Sequence, residues 1–186
     1  MTVHHSPAAR APAVLSFWLD EVGKDRWFAK SPELDAEIER RFETLRKEVL
    51  RTGAEGWRDT PEHLLAAIIL LDQFSRNIHR GSAKAFAADD LALELTNLAL
   101  DRGWDKGMLP ARQQFLLMPL MHSEKLADQQ RSVSEFERLG EENALNYARL
   151  HLDQIKRFGR FPGRNAALGR RTTDAEQEAL DAGAAF

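Results

Sequence analysis

Four groups of residues carry chemistry that their surroundings do not call for. Asp72 and Gln73 follow eight consecutive apolar residues, Leu64 to Leu71. Arg76 lies four residues beyond Asp72 on the same helical face, where it can neutralise a buried carboxylate. His122 and Glu124 stand just past Pro119, and His151 falls on the stripe Ala144, Ala148, Ile155 and Phe158, which points it inward. The fourth group is residues 149–171, with seven cations and one acid. From this segment Arg157, Arg160, Arg164 and Arg170 project beside Phe158, Phe161 and Pro162. Arginine presents a planar, permanently charged fork that matches carboxylate and phosphate oxygens, and histidine titrates near neutral pH. His122, His151 and Asp72 are therefore the candidate acid–base residues. The candidate binding set is Asp72, Gln73, Arg76, Asn77, His122, Glu124, His151, Arg157, Arg160, Arg164, Asn165 and Arg170.

Each group also has a purely structural reading. Arg76 can simply pair with Asp72, a buried histidine can satisfy a polar network between helices, and arginines near a helix C-terminus favour the helix dipole. A metal held by Asp72, His122, Glu124 and His151 is a weaker alternative, because His122 and Glu124 at i and i+2 point apart on a helix. No metal and no cofactor is expected.

Composition narrows the classes. The 186-residue chain has 26 Lys+Arg against 29 Asp+Glu, a net charge of −3, so the basic segment at +6 leaves −9 on the remainder. That balance argues against duplex nucleic acid or an anionic membrane as partner, while leaving room for one focused anion site. With no cysteine, disulfides, iron–sulfur clusters and thiol nucleophiles are excluded. The longest apolar run is far short of the roughly 20 residues that span a bilayer, and a cytoplasmic protein is expected. There is no phosphate-binding G-x-x-x-x-G-K-[ST] loop, no G-x-G-x-x-G, no H-E-x-x-H and no G-x-S-x-G.

The elements that position these residues read as helices. No stretch alternates at period two, whereas apolar residues recur at spacings of three and four throughout. Residues 1–11 read as a flexible tail, with Pro12 opening a first helix that ends near Gly23. Ser31-Pro32 opens a helix through Leu34, Ile38, Phe42, Leu45 and Val49, and Thr60-Pro61 opens one that runs to Gly81 and is apolar on nearly every side, as a central helix must be. Ser82 caps the next, ending at Gly103. Pro110 starts another, which Pro119 should kink. Further helices are predicted from about Gln129 to Leu139, from Glu141 to Phe158, and from a Thr173/Glu176 capping box onward. Residues 12–186 thus form a single all-α domain of about eight helices in antiparallel pairs. No internal repeat is found in register.

Three segments, ILLDQFSRNIHRG, FLLMPLMHSE and HLDQIKRFGRFPGRNAALGRRTT, in this order, resemble the mostly bacterial family known as domain of unknown function 924. The likeness spans roughly Val14 to Leu180 and implies a tetratricopeptide-like stack or compact bundle; it brings no established substrate. Ser75 stands where a proline is common in that family and Gly163 where a histidine is common, which makes metal-dependent chemistry less expected here. The resulting functional expectation is a binding protein with a polar Arg/His/Asp pocket for an anionic small molecule or peptide. The alternatives are an enzyme acting on a phosphorylated or carboxylated metabolite with histidine as acid/base, and a protein–protein scaffold with no small-molecule site.

Overall fold

A computed structural model describes residues 6–183. Among them every regular element is helical: α1 (Pro7–Ser16), α2 (Pro32–Arg51), α3 (Pro61–Ile69), α4 (Ser75–Ile78), α5 (Asp89–Asp101), α6 (Pro110–His122), α7 (Leu126–Leu139), α8 (Glu142–Phe158) and α9 (Asp174–Asp181). A π-helical turn, Phe17–Val22, extends α1, and a second, Leu70–Phe74, joins α3 to α4. Counted with these turns, the described residues form eight helices.

Local chemistry sets the boundaries. The hydroxyls of Ser31 and Thr60 accept from the backbone N–H of Leu34 and His63, and Pro32 and Pro61 occupy positions where a missing N–H costs nothing. Thr173 and Glu176 complete a reciprocal capping box. Gly140 and Gly159 stop α7 and α8 at φ of 79° and 70°, which glycine adopts without a Cβ penalty.

Three expectations need correction. The first helix begins at Pro7, not Pro12, and Ala11 is buried at 1% exposure, so residues 7–11 are not a tail. Pro7 meets the first-position rule, and Pro12 is accommodated inside the helix. Residues 1–5 of the expected tail lie outside the described residues. Ser82 caps only one 3-10 turn, Ala83–Phe86, and the helix proper starts at Asp89. The helix from Pro61 is not regular throughout, because the π turn interrupts it where Asp72 falls. Such turns insert a residue into the helical register and occur often at functional sites.

The run Leu64 to Leu71, which spans α3 and the start of the π turn, is fully buried, and α3 packs against α1, α5 and α6, as its all-round apolar pattern requires. Phe74, at 0% exposure, packs against Phe17, Trp18 and Phe42 at centroid separations of 5.0–5.9 Å. Three-residue and two-residue connections join α6 to α7 and α7 to α8, so α7 is antiparallel to both neighbours and α6 runs parallel to α8. No helix among the described residues is long and apolar enough to cross a membrane.

Replacing Phe74 by alanine removes the hub of this aromatic cluster. Urea unfolding should show a loss of about 3–5 kcal/mol; a loss below about 1 kcal/mol would mean that the cluster does not organise the core.

Candidate functional site

The π turn carries Asp72 into the interior, where it is 1% exposed. Its Oδ1 accepts from His122 Nδ1 at 2.7 Å and lies 3.0 Å from Arg76 Nη1, and its Oδ2 accepts from Gln73 Nε2 at 2.6 Å. Burial opposes the charge, but Arg76, His122 and Gln73 outweigh it and hold the carboxyl well below the usual carboxylate range. An ionised carboxylate only accepts hydrogen bonds. His122 must therefore carry its proton on Nδ1, which leaves the Nε2 lone pair without a hydrogen bond from any described residue.

The network continues outward through alternating charges. Arg76 grips Asp89, at the start of α5, through two bonds of 2.9 and 3.0 Å. Arg164 reaches the same carboxylate at 3.2 Å and donates to the His122 carbonyl at 2.8 Å. Its guanidinium lies 4.6 Å from the ring centroids of both Phe86 and Phe161. Burial, and then Arg76, bring the Arg164 pKa down to about 10, which still leaves it cationic at neutral pH. His151 Nδ1 donates to the Tyr147 carbonyl at 2.8 Å, and its ring sits 6.2 Å from His122 and 5.3 Å, edge-on, from Phe161. Burial, followed by the neighbouring His122, pushes its pKa down to about 3. Burial and Arg76 also lower that of His122, against the pull of Asp72. Both imidazoles are neutral at pH 7.

The helix end that presents His122 is tied down by Gln129 on α7. Its amide donates to the carbonyls of Met121 and Ser123, both at 2.6 Å, where α6 runs out of partners of its own. Glu124 receives two bonds from Arg170, at 2.8 and 3.0 Å, and one from the Phe161 N–H. Asn165 accepts from Arg170 Nε and donates to Glu176, and Arg160 grips Glu176 at 2.7 and 2.9 Å. These pairs fasten the 159–173 segment around the site.

Of the candidate residues, Asp72, Gln73, Arg76, His122, His151 and Arg164 come together. Glu124, Arg160, Asn165 and Arg170 form the surrounding clamp. Two lie apart: Asn77 donates to Asp35 on α2, and the exposed Arg157 stacks on Phe158 at 4.7 Å. Among the described residues no group of three or more His, Asp or Glu side chains is arranged to hold a metal; Glu124 is committed to Arg170 and the Phe161 N–H. Two surface cavities, of about 480 and 380 Å³, share Glu62 and Arg112. Arg112 is ten residues before His122 on α6, so they lie roughly 15 Å from the site, toward the opposite end of that helix.

The cluster is built from the three segments singled out in the sequence, and residues 14–184 match the family model described as "Bacterial protein of unknown function (DUF924)". The chain belongs to the DUF924 family. A solved structure entitled "Structure of Protein of Unknown Function ATU0120 from Agrobacterium tumefaciens" is similar to this DUF924 protein at 37% identity and a TM-score of 0.89, over 94% of this chain and 98% of that one. A search of curated proteins finds no match.

Asp89, Phe86 and Gln129 were not singled out by the sequence pattern. Gln129 had a signal, being a polar residue one turn before Ser132 and Val133 on the inward face of α7. Asp89 had none: its arginines are 13 and 75 residues away.

Because the fold holds His151 neutral while the unfolded chain titrates it near 6.5, acid protonates the unfolded state first. The stabilisation is complete well above pH 6.5 and is lost as the pH falls toward the folded value. This group alone should remove about 2 kcal/mol between pH 7 and pH 5. In His151→Asn, whose amide can replace the bond to the Tyr147 carbonyl, the urea midpoint should fall less steeply over that range. Equal slopes for the two proteins would contradict the assignment.

Proposed function

We propose that the chain binds a small molecule bearing a carboxylate or phosphate at the Asp72–His122–Arg76–Arg164 cluster. The observation that supports this is the state of His122. Residues 50 and 42 positions away in sequence hold its ring and its backbone, yet only one ring nitrogen is used. An imidazole kept solely for structure gains by bonding both. On this reading Nε2 accepts a hydrogen bond from the ligand, and an acidic ligand oxygen engages Arg76, whose side chain is 21% exposed beside Asp89 at 18%. Asp72, Asp89, Arg76 and Arg164 sum to no net charge, so the ligand anion shares Arg76 with Asp89 or displaces it. That competition favours modest affinity and a ligand with a second point of recognition.

A second reading is favoured by the 2.7 Å contact between Asp72 and His122. An imidazole oriented by an ionised carboxylate, neutral at pH 7 and with its outer nitrogen unbonded, is suited to take a proton from a bound metabolite. The chain would then be an enzyme acting on a phosphorylated or carboxylated metabolite, with His122 as general base. The stacked hairpins α6–α7–α8 are read as tetratricopeptide-like, and the protein as cytoplasmic.

Thermal unfolding with inorganic phosphate, succinate and glycerol phosphate tests the binding reading. A ligand at 100 times its Kd adds about 2.7 kcal/mol, a rise of roughly 5–10 °C for a chain of this size. His122→Asn and Arg164→Lys should each abolish the rise, measured against the ligand-free midpoint of the same variant. No rise with any of the three, or a rise that persists in both variants, would contradict the proposal.

A further inference from the structure

The end of α6 away from Asp72 carries the two surface cavities of about 480 and 380 Å³, side by side, with Glu62 and Arg112 lining both. Each falls in the range of about 300–1,000 Å³ that small-molecule pockets occupy. The first is walled by α1 and its π turn, the start of α3 and Arg112 of α6; the second by the start of α3, Arg112 and the loop that leads into α6. Helix α3 packs against both α1 and α6, which holds the helical walls together.

The charges lining these cavities are unpaired. Asp20 and Glu62 on one side of the balance, and Lys106 and Arg112 on the other, form no side-chain hydrogen bond or ion pair with any described residue. In the Asp72 cluster, by contrast, Asp72, Arg76, Asp89 and Arg164 are all paired. Glu62 and Arg112 face the same two cavities and yet do not reach each other. In the first cavity His63 Nδ1 is enclosed by protein and has no hydrogen-bond partner among the described residues, a state that buried polar atoms rarely keep. The second cavity has an apolar wall of Leu65, Trp104, Met108 and Leu109. Leu109, at 69%, is the most exposed of the large apolar side chains described.

We propose that these joined cavities are a separate binding site whose ligand is an α-amino acid with an apolar side chain. Two acids and two cations sum to no net charge. A ligand of one sign meets as much repulsion here as attraction, whereas one that carries both signs pairs with each. Glu62 and Arg112 border both cavities, so a ligand with its two charges on neighbouring atoms sits between them. The carboxylate takes the fork of Arg112, with Lys106 beside it. The ammonium donates toward the first cavity, to Glu62, Asp20 and the unbonded His63 Nδ1. The side chain then lies in the second cavity against Trp104, Met108 and Leu109, where its withdrawal from water adds to binding. None of these residues belongs to the Asp72–His122 cluster, and the two readings stand independently.

Calorimetric titration of the full chain with leucine, methionine and phenylalanine tests the proposal, together with isocaproate and isoamylamine, which are leucine without its ammonium and without its carboxylate. At least one of the three amino acids should bind. If leucine does, each analogue should be weaker by about tenfold or more, as the loss of a charge-assisted hydrogen bond implies, and glycine should be weaker than leucine. Arg112→Gln and Glu62→Gln remove charges that have no partner in the protein, so the thermal midpoint should stay close to that of the parent while amino-acid affinity falls about tenfold or more. His122→Asn should leave that affinity unchanged, which separates this site from the Asp72 cluster. The proposal is overturned if none of the three amino acids binds at millimolar concentration. It is equally overturned if isocaproate or isoamylamine binds as tightly as leucine, or if amino-acid binding survives both Arg112→Gln and Glu62→Gln unaltered.

Discussion

A carboxylate buried at 1% exposure must be compensated or it will protonate, and Asp72 sets the terms for everything around it. Withdrawing that charge from water costs several kcal/mol, which only well-placed partners offset. Arg76 supplies the counter-charge, while His122 and Gln73 supply donors. The compensation then propagates. Arg76 is itself buried enough to need more than one acid and takes Asp89 from α5. Asp89 in turn draws in Arg164 from beyond α8. A local demand in the π turn thus fixes the relative placement of α4, α5, α6 and the C-terminal segment.

The same logic explains the uneven charge of the sequence. Residues 149–171 are strongly basic and the rest of the chain acidic, and three of the segment's arginines meet acids of the helical body: Arg164 with Asp89, Arg170 with Glu124 and Arg149 with Glu137. Arg160 meets Glu176 on α9. The segment has almost no helix of its own between Gly159 and Thr173 beyond one short turn, Pro162–Arg164. The pairs of Arg160, Arg164 and Arg170, with Phe161 buried at their centre, replace the hydrophobic stripe by which a helix would dock. Their cations are therefore used within the chain, and the proposed ligand must compete for Arg76.

The helices were legible because each carries its own punctuation. Ser31-Pro32, Thr60-Pro61 and the Thr173/Glu176 box mark starts, and Gly140 and Gly159 mark ends, through interactions that span only a few residues. The inward placement of Asp72 and His151 could be read in the same way, from a polar side chain on an apolar stripe. What could not be read was partnership. Arg76 was expected to serve Asp72, and it does, but its stronger bidentate grip is on Asp89, which no local pattern marks. The π turn was also hidden, because ILLDQFSRN is as compatible with a regular helix as with an inserted residue. Pro7 and Pro12 satisfy the same positional preference, and only packing decides between them.

The account turns on the tautomer and charge of one imidazole. Nitrogen-15 NMR of histidine-labelled protein at pH 7, with the His122 signals assigned by comparison with His122→Asn, reads both directly. A protonated Nδ1 and an unprotonated Nε2 on a neutral ring are predicted, and Asp72→Asn should weaken that preference. A ring protonated on Nε2 alone, or on both nitrogens, would contradict the claim that a buried, ionised Asp72 holds His122 with its outer nitrogen ready to accept.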